Sequence, residues 1–219
     1  MSNEQYLQRT PTIASNRKTF TFSAWIKLTE ADMTIMDNDN YHPIISAINP
    51  SNGFSDMFGY HNAVGSRNGF RFYGGEGNYG TKIEDVSDAL TDGSTASRRW
   101  FHVVWAMDST QTVADDRIRF YLNGEEKIKS VVRRDVPLNY EYGFNNNVKQ
   151  TIGRHGWLAG AASAWQGSMS QVTFVDGRQL SANLFGTNGN TEWVSERRKL
   201  VLKNIYSCCC FCCCCCCCC

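Results

Sequence analysis

The stretch WFHVVWAMDSTQTVADDRIRFYLNGEE, residues 100–126, decides the fold. In its first eight residues Phe101, Val103, Trp105 and Met107 alternate with Trp100, Val104 and Ala106, so both faces are apolar. Such a strand belongs in the middle of a sheet that is covered on each side. After a polar link, Ile118, Phe120 and Leu122 alternate with Arg117, Arg119 and Tyr121, the period-two pattern of a strand with one buried face. It runs into Asn123-Gly124, a dipeptide suited to the two positive-φ positions of a type I′ hairpin, and a return strand begins at Glu125. Two strands and a hairpin in this order predict an antiparallel sheet. No enzyme signature lies inside the stretch.

Outward from it, FTFSAWIKL, residues 20–28, sets Phe20, Phe22, Ala24, Ile26 and Leu28 on one face against Thr21, Ser23, Trp25 and Lys27. Short strands are predicted at 44–48, 57–60 and 69–73, each bounded by Gly, Pro or Asn, and another at 169–175, closed by the turn dipeptide Asp176-Gly177. Helical signals are sparse. Ile83, Val86 and Leu90 have helical spacing for a turn or two, and Ser181 is placed to cap a turn containing Leu184 and Phe185. Trp105, Phe120, Leu122 and Phe174 occupy apolar strand phases and are the expected core.

At 219 residues the chain suits one large all-β domain, able to bury roughly 70% of its unfolded surface. The 22 Lys and Arg nearly balance 21 Asp and Glu, which gives no bulk-charge argument for nucleic acid or an anionic membrane. Residues 1–17 are polar, without a signal-type apolar run, and no stretch is long enough to span a bilayer. All 11 cysteines fall within 208–219, interrupted by Phe211, so the body needs no disulfide. Adjacent cysteines cannot all turn toward one metal, and residues 191–219 are read as an atypical, unstructured tail.

Several pieces together resemble the laminin-G/concanavalin A-like jelly-roll domains of bacteriophage virion and tail-fibre proteins. YLQRTPTIASNRKTFTFSAWIK, residues 6–27, is similar to that group's opening strand, and WFHVVWAMDSTQ with RIRFYLNGEE to its central pair. TIGRHG, residues 151–156, precedes GSMSQVTFVDGRQLSANLFG, residues 167–186, which is similar to its final strand and exit turn. The resemblance covers about residues 4–190 and implies a two-sheet antiparallel β-sandwich with a role in recognition or particle assembly. It hands over no catalytic residues. The family usually has a strand before the piece at Tyr6 and more β-structure after Phe185, where this chain continues into its cysteine run.

The candidate chemistry is thin. Gly75, Gly77 and Gly80 match a dinucleotide fingerprint by letter, but no βαβ unit surrounds them, so a loop between strands is expected. Asp37-Asn38-Asp39-Asn40 offers oxygen ligands of the kind Ca²⁺ takes, with Asp37 and Asp39 the candidate metal residues. Positions six and twelve of an EF-hand loop would be His42 and Ile48, so the default is a solvated Asx-rich turn and no resident cofactor. Glycosidase carboxylates must share a strand face; Glu84, Asp85 and Asp88 lack that alternation, and Glu125 and Glu126 point to opposite sides of a hairpin. No Gly-x-Ser-x-Gly occurs.

Sugars are held by planar polar groups and an aromatic face, and Asn145, Asn146, Arg154, His155, Trp157 and Trp165 gather such groups around the strand at Thr151. The reading is therefore a non-enzymatic binding or assembly module of a phage structural protein, made in the host cytoplasm and located in the virion. Its expected partners are a cell-surface glycan or other virion proteins, with oligomerisation as part of a fibre; nucleic acid and membrane insertion are not expected. The alternative is a carbohydrate-active enzyme or its accessory domain.

Overall fold

The computed structural model describes residues 6–28, 40–48, 55–62, 69–74, 79–83, 99–127, 129–131, 135–155, 164–165, 167–188, 193–195 and 205–208. The strands are β1 (Leu7–Arg9), β2 (Thr19–Lys27), β3 (Asn40–Ile48), β4 (Ser55–Asn62), β5 (Gly69–Gly74), β6 (Tyr79–Ile83), β7 (Phe101–Asp108), β8 (Ile118–Leu122), β9 (Glu125–Glu126) and β10 (Lys129–Val131). They continue as β11 (Gln150–Ile152), β12 (Ser168–Asp176), β13 (Gly186–Asn188), β14 (Trp193–Ser195) and β15 (Ile205–Cys208). A seven-stranded sheet runs β1-β11-β3-β4-β5-β6-β10 and a six-stranded sheet runs β15-β12-β2-β7-β8-β9; β13 and β14 form a separate hairpin. Every pairing is antiparallel. The fold is the two-sheet β-sandwich expected from the alternations.

The core lies between the sheets because the apolar phases of both point inward. Phe20, Phe22, Ala24, Ile26, Phe58, Phe70, Trp105, Phe120, Leu122 and Phe174 are buried in one cluster. Phe58, Phe70 and Phe72 from the seven-stranded sheet meet Trp105 and Phe120 from the other; the Phe70 and Phe120 ring centres are 5.2 Å apart. Asn123 (φ 49°) and Gly124 (φ 85°) make the β8–β9 hairpin as their dipeptide requires. The Asn123 carboxamide also accepts a bond from the His102 backbone N–H at 2.9 Å.

The double cover expected for β7 is real. Val104 and Ala106 lie on the outer face of the six-stranded sheet with Tyr121 and Val175, beneath Leu180, Ala182, Leu184 and Phe185. The strap carrying those four is tied down by polar bonds. Thr21 Oγ1 donates to the Arg178 carbonyl and accepts from Leu180 N–H, while Gln179 Nε2 donates to the Asp116 carbonyl at 2.7 Å. A 3-10 turn, Ala182–Leu184, sits within it; Ser181 accepts the Leu184 N–H through its backbone carbonyl, not its side chain.

Three expectations need correction. Ile83, read with helical spacing, lies in β6, which pairs with β5 and β10, so the glycine-rich run before it lies between two antiparallel strands. Residues 84–98 are outside the described residues. Trp100 is not covered like the rest of its strand but stays 42% exposed, because it precedes the first paired residue of β7. The tail after residue 190 is not without regular structure: β14 pairs with β13, and β15 pairs with β12 from Val172↔Cys208 to Val175↔Ile205. The four residues IYSC satisfy the outer backbone groups of β12, which would otherwise be an open edge.

Candidate functional site

The sugar-type residues predicted around β11 separate into two groups at its ends. Before the strand, Asn145 is buried in the left-handed region (φ 60°), and its Nδ2 donates to the Asn16 carbonyl at 2.7 Å and to Asp176 Oδ1 at 2.8 Å. Asn146 Oδ1 accepts from Asn147 N–H, and its carbonyl accepts from Gln150 Nε2. Both asparagines are spent on the loop leading into β11. This corrects the expectation that they join one recognition cluster: they clamp the loop to the starts of β2 and the end of β12.

After the strand the chain turns at Gly153 (φ 81°), which passes its N–H to the Ile44 carbonyl and accepts from Trp165 N–H. The turn lays the Arg154 carbonyl over the outward hydroxyls of Thr151 and Ser46, at 2.7 and 3.1 Å. The Arg154 guanidinium carbon stands 4.8 Å from the centre of the Tyr6 ring, at the β1 edge, in cation–π range. His155, next along, is half-buried, and burial lowers its imidazole pKa. Trp165 is brought beside Arg154 through the Arg154↔Ala164 bridge, but its ring is in the interior cluster, so it is no sugar platform. Trp157, like Asp37 and Asp39, is outside the described residues.

Sequence reading missed the other half of this face. In β5 the inward Phe70 and Phe72 force Arg71 and Tyr73 outward, and Arg71 Nη1 donates to the Tyr73 hydroxyl while its guanidinium lies 5.9 Å from that ring centre. Arg71 is only 3% exposed, whereas Tyr73 and Met57 beside it are half-buried. The outer face of the seven-stranded sheet thus carries two arginine–tyrosine pairs, Arg71–Tyr73 on β5 and Arg154–Tyr6 beyond β11. Those strands are three neighbours apart, about 14 Å at roughly 4.8 Å per spacing. The alternation within GFRFYG is the signal that marks the first pair.

The acids do other work. Asp56 is fully buried on the inner face of β4, accepting from the Tyr140 hydroxyl at 2.9 Å and from Gly143 N–H, and so holds the 135–147 loop to the sheet. A Cβ at Gly74 would come within 2.8 Å of its Oδ1 and 2.5 Å of the Phe72 ring, so glycine is required there. Glu125 pairs with Lys127 at 2.8 Å, and Glu126 lies 3.9 Å from Arg119; their register partners Leu122 and Tyr121 place them on opposite faces. Among the described residues no group of three His, Cys, Asp or Glu is arranged to hold a metal. His102 is buried on the outer face of the six-stranded sheet with Nε2 2.9 Å from Ser23 Oγ, and burial takes its pKa down to about 4.

No curated protein sequence matches the chain. Among solved structures it is similar to a heptameric SAP-like pentraxin from Limulus polyphemus, at 14% identity and a TM-score of 0.49, over 80% of this chain and 71% of that one. It is similar to a candidate carbohydrate binding protein from Bacteroides ovatus at 17% identity and a TM-score of 0.49, over 89% of this chain but only 49% of the other. Tailspike protein 2 of an Escherichia coli bacteriophage is matched at 11% identity and a TM-score of 0.44, over 81% of this chain and 22% of the tailspike. The chain therefore spans about half of the Bacteroides protein and about a fifth of the tailspike. Residues 2–183 match the family model of the concanavalin A-like lectin/glucanases superfamily, and with its two packed antiparallel sheets the chain belongs to that superfamily.

Proposed function

We propose that this chain is a non-catalytic glycan-binding module of a bacteriophage structural protein of tail-fibre type, carried in the virion and engaging a cell-surface glycan. The observation that supports it best is the outer face of the seven-stranded sheet, where Arg71–Tyr73 and Arg154–Tyr6 are set on a rigid scaffold. Guanidinium groups donate in a planar fork to sugar oxygens, and phenol rings supply apolar faces for sugar C–H groups. Glu125 and Glu126, each beside its own cation on opposite faces of a hairpin, favour binding over hydrolysis. The module works without a resident cofactor, contacts neighbouring virion proteins and oligomerises within the fibre. The virion placement rests on the resemblance carried by residues 6–27, 100–126 and 167–186.

The test is to screen the chain against bacterial surface polysaccharides and to measure the chain length of any bound glycan after prolonged incubation. Binding with the glycan left intact is expected. Shortened glycan, with turnover lost on replacing Glu84 or Glu125, would establish the enzyme instead.

A further inference from the structure

The two sheets differ in charge although the chain as a whole is nearly neutral. In the strands of the six-stranded sheet the ionic residues are Lys27, Asp108, Arg119, Glu125, Glu126 and Asp176, a mixed set in which acids predominate. In those of the seven-stranded sheet they are Arg9, Asp56, Arg71, Lys82 and Lys129. The single acid there, Asp56, faces the interior and accepts from Tyr140 and Gly143. What the seven-stranded sheet offers outward is therefore cationic.

The cations are also arranged. Lys82 holds the register position opposite Arg71 on β6, and Gly59, opposite Arg71 on the other side, has no side chain to block the row. Beyond Gly59 comes Pro43 on β3, a short ring, and then the turn that carries Arg154. A low floor with a guanidinium toward each end suits an extended polyanion better than a single sugar. Arg71 is held by the Tyr73 hydroxyl and buried among the strands, so little freedom is lost when it engages a ligand.

We infer that the glycan recognised by this module is anionic, an acidic polysaccharide lying across the outer face of the seven-stranded sheet, with its carboxylates or sulfates met by Arg71 and Arg154. This rests on the glycan-binding reading above and adds the ligand's class. Guanidinium–carboxylate and guanidinium–sulfate contacts are charge-assisted and weaken as salt screens them.

The full chain is titrated with polygalacturonate, alginate, polysialic acid and chondroitin sulfate, and with dextran and galactomannan as neutral counterparts. Fully methyl-esterified polygalacturonan serves as the same polymer without charge. Binding is expected among the acidic polymers only, weakening as salt is raised, and any binding of polygalacturonate is lost on esterification. Arg154→Gln is expected to weaken binding about tenfold or more at an unchanged melting temperature, as loss of a charged hydrogen-bonding group predicts. Arg71→Lys keeps the charge but removes the fork and is expected to fall between, and Arg119→Gln on the other sheet to change nothing. Neutral polymers bound as tightly as acidic ones, or acidic binding indifferent to salt and to Arg154→Gln, would overturn the inference while leaving glycan binding in place. No binding to either class would overturn both.

Discussion

Phe120→Ala probes the reasoning that the two sheets are held by interlocking aromatic rings. Phe120 is fully buried on β8, its ring centre 4.9 Å from Trp105 within its own sheet and 5.2 Å from Phe70 on the facing sheet. Removing a buried ring loses its transfer free energy and leaves a cavity, together about 3–5 kcal/mol. Aromatic pairs add about 0.5–1.5 kcal/mol beyond buried area, and here two pairs are lost, so the upper half of that range is expected. At about 2–4 °C per kcal/mol for a domain of this size, the melting temperature should fall by roughly 8–20 °C. Calorimetry and urea denaturation would measure it, with an unchanged urea slope showing that the same surface is exposed on unfolding. Glu126→Ala, exposed on the hairpin, is the control and should stay within about 0.5 kcal/mol of the parent. A Phe120→Ala protein that melts with the control would refute the strand phase and the inter-sheet packing drawn from it.

His102, buried with a pKa near 4, binds fewer protons when folded than the unfolded chain with its ordinary value of 6.5. Its contribution to stability is therefore complete above pH 6.5 and is lost as pH falls through about 4, to a total of about 3 kcal/mol; His155 adds to the same slope, and His102→Gln should flatten most of it in acid titrations of stability. Asp108 titrates lower: burial raises its pKa, but bonds from Thr110, Gln111 and Thr19 outweigh that and hold it below 3.8, so its share disappears only in stronger acid. Truncation after residue 190 removes the β12 partner β15 and should cost about 1–3 kcal/mol, whereas truncation after residue 208 should cost nothing and improve solubility under oxidising conditions; equal melting of the two would refute the pairing. Saturating Ca²⁺ should leave the melting temperature unchanged; a rise, worth about 2.7 kcal/mol at a hundredfold excess over Kd and abolished by Asp39→Ala, would make Asp37 and Asp39 ligands.

Much of the sandwich was legible because its strands alternate strictly. Phe20 to Leu28, Trp105, Phe120, Leu122 and Phe174 are all where period two puts them, and Asn123-Gly124 turns as its positive-φ preference demands. The ends of β3 and β4 were not legible, since Asn40, Ser55 and Asn62 read as loop residues until a partner strand supplies their backbone bonds. Ile83 failed for a similar reason: helical spacing over two turns is weaker than pairing on both sides. In the candidate site, Arg71 and Tyr73 were present in the alternation of GFRFYG, but the meeting of Arg154 with Tyr6, or of Asn145 with Asn16 and Asp176, joins distant segments that no local pattern links. The short β15 leaves too few residues before the cysteine run for any period to register.

The strap after β12 gives the two sheets their different uses. By laying Leu180, Ala182, Leu184 and Phe185 over Val104, Ala106, Tyr121 and Val175, it turns the outer face of the six-stranded sheet into a second, smaller core. That explains why β7 is apolar on both sides, and why Thr21 and Ser23, polar by type, are buried and bonded there instead of solvated. Among the described residues no matching apolar cluster lies on the outer face of the seven-stranded sheet. Its outward positions carry Ser46, Thr151, Tyr73 and Arg71, groups that satisfy one another or a ligand through hydrogen bonds, not through burial of hydrocarbon. Covering one sheet with its own chain and leaving polar and cationic groups on the other is a division of labour that confines a recognition surface to the second.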